Sequence, residues 1–336
     1  MRDFRSDNTH AASPEILDAL VRASAGTMTS YGDDEITARV RVRCAELFEH
    51  DVDVFPVITG TSGNVLAIAA MTTPGAAIFC HTDAHIVVDE LNAAEFFSGG
   101  AKLSPIAGAN GKLDAEALAR AIEENARDGS CVSITQATEA GTVYRADEIR
   151  ALCDVAHGHG YRVHMDGARF ANAVAHLGAT PADLTWRAGV DALVFGATKN
   201  GALAVEVIVV FDRALATALG PHWHRGGHRP SKMRFLSAQF EAYLADDLWL
   251  RNARRANALA QRLAAGLPDV LRPVEANIVF VRLAPEAAAS LQEQGFLFYD
   301  WPVFGADAYR LVVGFDSTEE EVDALVRAIE VARNKS

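Results

Sequence analysis

Lys199 lies in the run FGATKNGA, and Asp166 follows an earlier apolar run at 161–165, in HMDGAR. A lysine at the rim of an α/β sheet, preceded by Gly and Thr, is placed to form a Schiff base with a carbonyl cofactor. A carboxylate at the carboxyl end of a strand sits where α/β sheets receive their ligands. Facing the pyridine nitrogen of pyridoxal phosphate, it keeps that ring protonated and electron-withdrawing. Each residue alone also fits a plain role, since most lysines are solvated and strand-end aspartates often cap helices. The order Asp then Lys, in two successive strand–loop units, favours the cofactor reading.

Further groups add chemistry around this pair. The run Gly60-Thr61-Ser62-Gly63-Asn64 follows a β-rich stretch at 54–58 and leads into an apolar helix. Backbone N–H groups at a helix start, with two hydroxyls, make an anion cradle suited to a phosphate. It is neither a Walker A loop nor GxGxxG, which disfavours a nicotinamide dehydrogenase. His85, in HTDAHIVVDE, is an imidazole able to stack on a planar cofactor and titrate near neutral pH. Its neighbours His81, Asp83, Asp89 and Glu90 leave a metal reading open, but their spacing fits no standard zinc site.

Arg169 and Arg310 sit beside apolar residues and need anionic partners. A substrate carboxylate gripped bidentately is one solution; for Arg310 an internal salt bridge to Asp316 or Glu320 is the other. The stretch 221–234, PHWHRGGHRPSKMR, reads as an ordered cationic loop at a mouth or subunit contact. Its His222, His224 and His228 have a spacing that binds metal only adventitiously, and no metal is expected. His157 and His159 fit a helix C-terminus, where cations are favoured.

These groups need a scaffold. The chain of 336 residues exceeds the usual single-domain range, and 50% of it is hydrophobic, enough for full cores. Its formal charge of -13 argues against nucleic acid or an anionic membrane as partner. Cys44, Cys80, Cys131 and Cys153 form no metal-binding pair, so free buried thiols in a reducing compartment are expected. The start MRDFRSDNTH lacks the apolar core of a signal peptide, and the longest apolar run, 203–211, is too short to span a bilayer. The expected location is the cytoplasm.

Helical spacing covers 14–25, with Ser13 as cap and Pro14 at the first position, and 36–48. Short β-rich runs then alternate with helical patterns: strands are expected at 54–58, 76–80, 102–106, 131–135, 161–165, 192–196 and 205–211. Helices are expected between them at 63–71, 115–126 and 146–157. Such alternation predicts an α/β fold with a mostly parallel seven-stranded sheet. Near Ser237 the pattern changes to a long helical stretch at 238–266, strands at 278–283 and 309–314, and a helix at 319–332. The chain therefore divides into a large domain, 1–237, and a smaller C-terminal α+β domain, 238–336.

Taken together, these residues resemble the threonine aldolase family, pyridoxal-phosphate enzymes of the aspartate-aminotransferase fold (fold type I). The matching pieces are DFRSDN at 3–8, SYGDDE at 30–35, GTSGN at 60–64, the His85 segment, HMDGARFANA at 164–173, TKNGA at 198–202, SKMR at 231–234, and Arg310. They run in family order across nearly the whole chain. QATEAGTVY and SKMRFLSA point to the low-specificity branch.

The resemblance implies retro-aldol cleavage of β-hydroxy-α-amino acids such as threonine, allo-threonine or phenylserine to glycine and an aldehyde. Lys199 would bind pyridoxal 5'-phosphate covalently and Asp166 would pair with its ring nitrogen. Gly60 and Thr61 would hold the phosphate, and His85 would stack on the ring and assist proton transfer. Ser6, Arg169 and Arg310 would hold the substrate carboxylate, and Tyr31 would reach the site of a neighbouring subunit in a homodimer or homotetramer. β-Elimination or transamination on the same fold, and a non-catalytic cofactor- or metal-binding protein, are the alternatives.

Three departures from the family pattern stand out. Thr198 and Asn200 flank the lysine where Ser and Gly are common. Glu139 occupies the place of a second active-site histidine, either as a base or paired with Arg145. Lys232 stands in a usual glycine run.

Overall fold

The computed structural model describes residues 2–333. Its strands, in chain order, are β1 (Arg2–Asp3), β2 (Asp53–Val57), β3 (Ala77–His81), β4 (Lys102–Ile106), β5 (Cys131–Thr135), β6 (Arg162–Gly167), β7 (Ala192–Gly196), β8 (Glu206–Val210), β9 (Ile278–Arg282), β10 (Phe296–Leu297), β11 (Tyr299–Asp300) and β12 (Ala308–Val312). Seven form one sheet in the order β2-β8-β7-β6-β5-β3-β4. Strands β3 to β7 pair in parallel, and β8 runs antiparallel to both β7 and β2. This is the mostly parallel sheet that the alternating pattern predicts.

Strands β7 and β8 are buried along their whole length. Helices cover both faces of the sheet, so its central strands are continuous apolar runs. The period of two sorts their side chains between two cores. Phe79, Val163, Leu193, Phe195 and Val207 fall in one; Val57, Ile78, Val194, Ile208 and Val210 fall in the other.

The second core seats the helix that matters most for the site, Gly60–Met71. Its cap is Thr59, whose hydroxyl accepts from the Ser62 N–H at 3.1 Å. Gly63 lets the helix lie directly on β7, because a Cβ there would stand 2.6 Å from Val194 Cγ1. Any larger residue would lift the helix off the sheet.

After the large sheet, β11, β12 and β9 form a small antiparallel sheet. Leu259, Val281, Leu311 and Leu325 centre a third core beneath it. The chain's start joins this region, since β1 pairs with β10 and Phe4 is buried in the same core.

The long helical stretch expected at 238–266 is two helices, Arg234–Leu244 and Leu248–Ala265. They break where Asp246 and Asp247 take φ of 50° and 54°. Apolar spacing continues across that break, so composition hides it, but two left-handed residues cannot extend a helix. The loop expected at 221–234 begins as helix, because Arg213–Arg225 runs through Pro221, His222 and His224. The helix Phe170–Leu177, directly after HMDGAR, was not among the expected elements. All four cysteines are buried and unpaired. Among the described residues no helix is long and apolar enough to cross a membrane.

Candidate active site

Across the sheet, successive strands each deliver one group to the same edge. Gly60 and Thr61 follow β2, Glu206 opens β8, Lys199 follows β7, and Asp166 stands next to last in β6. Glu139 follows β5, and His85 follows β3. Antiparallel β8 contributes its first residue because it starts where its neighbours end. All these residues line one cavity of about 260 Å³, with Asn8, Asn64 and Thr198.

Lys199 sits in the 3-10 turn Thr198–Asn200. Among the described residues its amine makes no hydrogen bond or ion pair, so it stands free in the cavity. The turn is anchored by Asn200, whose Nδ2 donates to the Tyr243 hydroxyl and to the Trp249 carbonyl, both at 2.7 Å. The positive φ, 113°, falls on Gly201 instead. Asparagine thus replaces glycine here without strain and ties the lysine turn to two helices.

Asp166 belongs to a buried polar chain. Asn64 donates to its Oδ2 at 2.9 Å and to Glu90 Oε1 at 3.0 Å, and that same Glu90 oxygen bonds His85 Nδ1 at 2.8 Å. The Ala168 N–H donates to Asp166 Oδ1 at 3.0 Å. Burial works against charge on Asp166, but the positive field of His85, the Ala168 N–H and Lys199 hold its carboxyl below the usual range. The Glu90 hydrogen bond, aided by Asp166 and Glu139, raises His85 against the opposing effect of burial. His164, two residues before Asp166, is pushed down to about 4 by burial and stays neutral.

Sequence reasoning took Asn64 only as the end of a turn and Glu90 only as a possible metal ligand. The signal was a polar residue bordering the apolar run of each of two separate helices, which burial turns into a network. Asn64 Oδ1 and Glu90 Oε2 are buried without a hydrogen-bond partner, which marks a site with capacity left for a ligand.

At the helix start, Ser62 N–H bonds Thr59 Oγ1 and Gly63 N–H bonds the Thr59 carbonyl. Among the described residues the amides of Gly60 and Thr61 have no hydrogen-bond partner, as the first turn of a helix requires. Space beside Gly60 is open, with no atom within 4 Å of where its Cβ would stand. One element of the expected cradle is corrected. The Ser62 hydroxyl is buried and donates to the Thr59 carbonyl at 2.9 Å, so the cap takes it and Thr61 offers the free hydroxyl.

The two arginines differ. Buried Arg169 is held by Asp7 through Nε at 2.8 Å and Nη2 at 3.0 Å. Among the described residues no carboxylate pairs with Arg310: Asp316 pairs with His10, and Arg310 donates to the Arg5 carbonyl at 3.2 Å. Its guanidinium stacks 4.3 Å above the Trp301 ring, with Nε buried and unpaired. Burial, and then the charge of Arg169, lower its pKa, as for a cation short of an anion.

Ser6 lies beside the cavity rather than in its lining, accepting from the Asn8 N–H at 3.2 Å. Glu139 forms no pair with Arg145 and no side-chain hydrogen bond, and it lines the cavity. Tyr31, 50% exposed, lies outside its own chain's cavity. Among the described residues no cluster of three or more His, Cys, Asp or Glu side chains is arranged to hold a metal.

A sequence profile of the β-eliminating lyase family matches residues 3–286. Two proteins called low-specificity L-threonine aldolase, from Pseudomonas aeruginosa and another Pseudomonas, are 41% and 40% identical over 98% of this chain and 97% of each relative. A threonine aldolase structure from Leishmania major superposes with a TM-score of 0.91 at 27% identity, covering 99% of both chains. An aspartate aminotransferase from Rhodobacter sphaeroides, at 19% identity and a TM-score of 0.73 over 99% of this chain and 93% of that one, shares the fold. The chain has the fold-type-I architecture of the pyridoxal-phosphate enzymes, and it belongs to the β-eliminating lyase family, among the threonine aldolases.

Proposed function

We propose that the protein cleaves β-hydroxy-α-amino acids to glycine and an aldehyde with pyridoxal 5'-phosphate as cofactor. The carrying observation is a free lysine amine lining one cavity with a buried, ionised aspartate and the open amides of a helix N-terminus. When bound, the cofactor supplies an electron sink for the bond broken at Cα.

The protein's own groups divide the work. Lys199 would hold the cofactor's aldehyde carbon, Asp166 would pair with its ring nitrogen, and the Gly60 and Thr61 amides would receive its phosphate. His85, fixed by Glu90, would flank the bound cofactor. Arg310 receives the substrate carboxylate bidentately, with the positive field of Arg169 behind it and the Ser6–Asn8 turn alongside. That grip would fix the orientation of the bonds at Cα. Glu139 takes the β-hydroxyl proton. His85 is the poorer base because its contacts favour the charged ring, which suits it to donate instead.

Glu139 is shared with a second recess of about 140 Å³, walled by Val88, Trp301, Val303 and Phe304 with Asp83 and Asp89 at its border, which would receive the substituent on Cβ.

A homodimer or homotetramer is part of the proposal. Leu91, 95% exposed, and Phe96, 80% exposed, follow directly on the His85 segment and favour cover by a second copy, whose Tyr31 would reach this site. The same holds for two domains, with the seam near Ser237, and for a cytoplasmic location, favoured by the four free thiols.

The test is product analysis with threonine, allo-threonine and phenylserine. Glycine with acetaldehyde or benzaldehyde supports the reading. The family profile keeps β-elimination as the rival, and release of ammonia and a keto acid without glycine would establish it instead.

A further inference from the structure

Glu206 has no part in the chemistry above, yet it occupies a telling position. It is 6% exposed and is the first residue of β8, between Val57 of β2 and Gly196 of β7. Its side chain shares the sheet face of Ile208 and Val210, which is the face covered by the helix Gly60–Met71. It therefore lies below the turn that leads from β2 into the phosphate cradle, and it lines the same cavity as Gly60, Thr61 and Thr198. Its Oε2 accepts from the Ala197 N–H at 2.5 Å.

The charges around it are few. From the turn after β7, Lys199 acts on it, and from the helix Arg234–Leu244 its titratable neighbour is Tyr243. The helix Gly60–Met71 offers no charged side chain, and the other charged groups lining the cavity are His85, Glu139 and Asp166. Among the described residues lining the cavity, Lys199 is the cation whose charge acts on Glu206, and a phosphate dianion in the same space would compete for it. A second anion in this space favours the protonated form of the carboxyl.

Resting on the cofactor reading above, we propose that Glu206 is protonated when the cofactor is bound and donates its O–H to a phosphate oxygen. It then acts as a third phosphate ligand beside the Gly60 and Thr61 amides. Burial already pushes its carboxyl up to about 7 in the bare protein, against the opposing bonds from Ala197 and Thr198 and the charge of Lys199. A phosphate nearby raises it further, so binding above that pH takes up a proton.

The experiment is titration of the cofactor-free full chain with pyridoxine 5'-phosphate, which cannot react with Lys199, between pH 6.5 and 9. With one linked proton, affinity of the wild type falls about tenfold per pH unit above the free carboxyl's pKa. Glu206→Gln carries a permanent N–H donor and is expected to lose most of that decline. Calorimetry of the wild type at pH 8, in two buffers of different ionisation enthalpy, is expected to find about one proton taken up, and none with phosphate-free pyridoxine. A pH dependence unchanged by Glu206→Gln, or no proton uptake in the wild type, overturns the assignment. If pyridoxal 5'-phosphate itself fails to bind the wild type, the cofactor reading falls instead.

Discussion

Asp7 and Arg169, 162 residues apart in sequence, form a buried ion pair with two hydrogen bonds, at 2.8 and 3.0 Å. Asn277 adds a third bond to Asp7 Oδ2 at 3.1 Å. Burial opposes the Asp7 charge, but Arg169, Lys199 and these bonds hold its carboxyl below the usual range. The pair ties the N-terminal segment to the helix after β6 and occupies Asp7, so that among the described residues Arg310 is left without a paired carboxylate.

Asp7→Ala leaves a buried guanidinium uncompensated, and the expected loss in urea denaturation is about 3–5 kcal/mol. Because Asp7 titrates lower in the folded state, its contribution is present above the unfolded aspartate pKa of about 3.9 and disappears as pH falls through the folded value. Wild type and variant are therefore expected to converge in stability in acid. A stability difference that is unchanged in acid would contradict an ionised Asp7.

Glu90→Gln removes the carboxylate that most raises His85. The midpoint of His85, followed by the NMR shift of its ring proton, is expected to fall. The stability from the charged pair is present below the unfolded histidine pKa of about 6.5 and lost as pH rises through the folded value. The variant should thus lose stability mainly on the acid side of that window. An unmoved midpoint would show that Glu90 does not set the charge of His85.

Arg310→Ala is expected to raise KM by about tenfold or more, corresponding to a charge-assisted contact worth about 1.5–3 kcal/mol. No internal carboxylate is orphaned by the change, so cofactor binding and Tm should stay near wild type. A variant that unfolds while the KM of the residual enzyme is normal would reinstate a structural role.

Glu139→Gln keeps shape and hydrogen bonding but removes the base. Retro-aldol cleavage is expected to slow by roughly 10²-fold or more, with exchange of the glycine α-proton much less affected, since that reaction deprotonates no β-hydroxyl. Equal losses in both would point to positioning alone.

Much of this molecule is legible in its sequence because its strands are short, buried runs bounded by polar turns. The strands at 131–135 and 192–196 follow directly from that pattern, whereas the edge strand at 102–106 is partly exposed and is marked by its β-rich composition alone. Lys199, Asp166, Gly60, Thr61, His85 and Glu139 each occur directly after or near the end of such a run, so their convergence on one edge follows from topology. What the pattern hides is pairing over long separations. Nothing local to Arg169 announces Asp7, and nothing local to Glu90 announces Asn64. Glu206 opens an apolar strand and looks like an interruption until the antiparallel direction of β8 brings it to the catalytic edge.

The central claim is that Lys199 carries the cofactor. Borohydride reduction of the protein loaded with pyridoxal 5'-phosphate, followed by peptide mass spectrometry, tests it most directly. The account predicts a phosphopyridoxyl group on the peptide containing Lys199, absent from Lys199→Ala and not transferred to Lys232. Stoichiometric label on another lysine, with Lys199 unmodified, would contradict it.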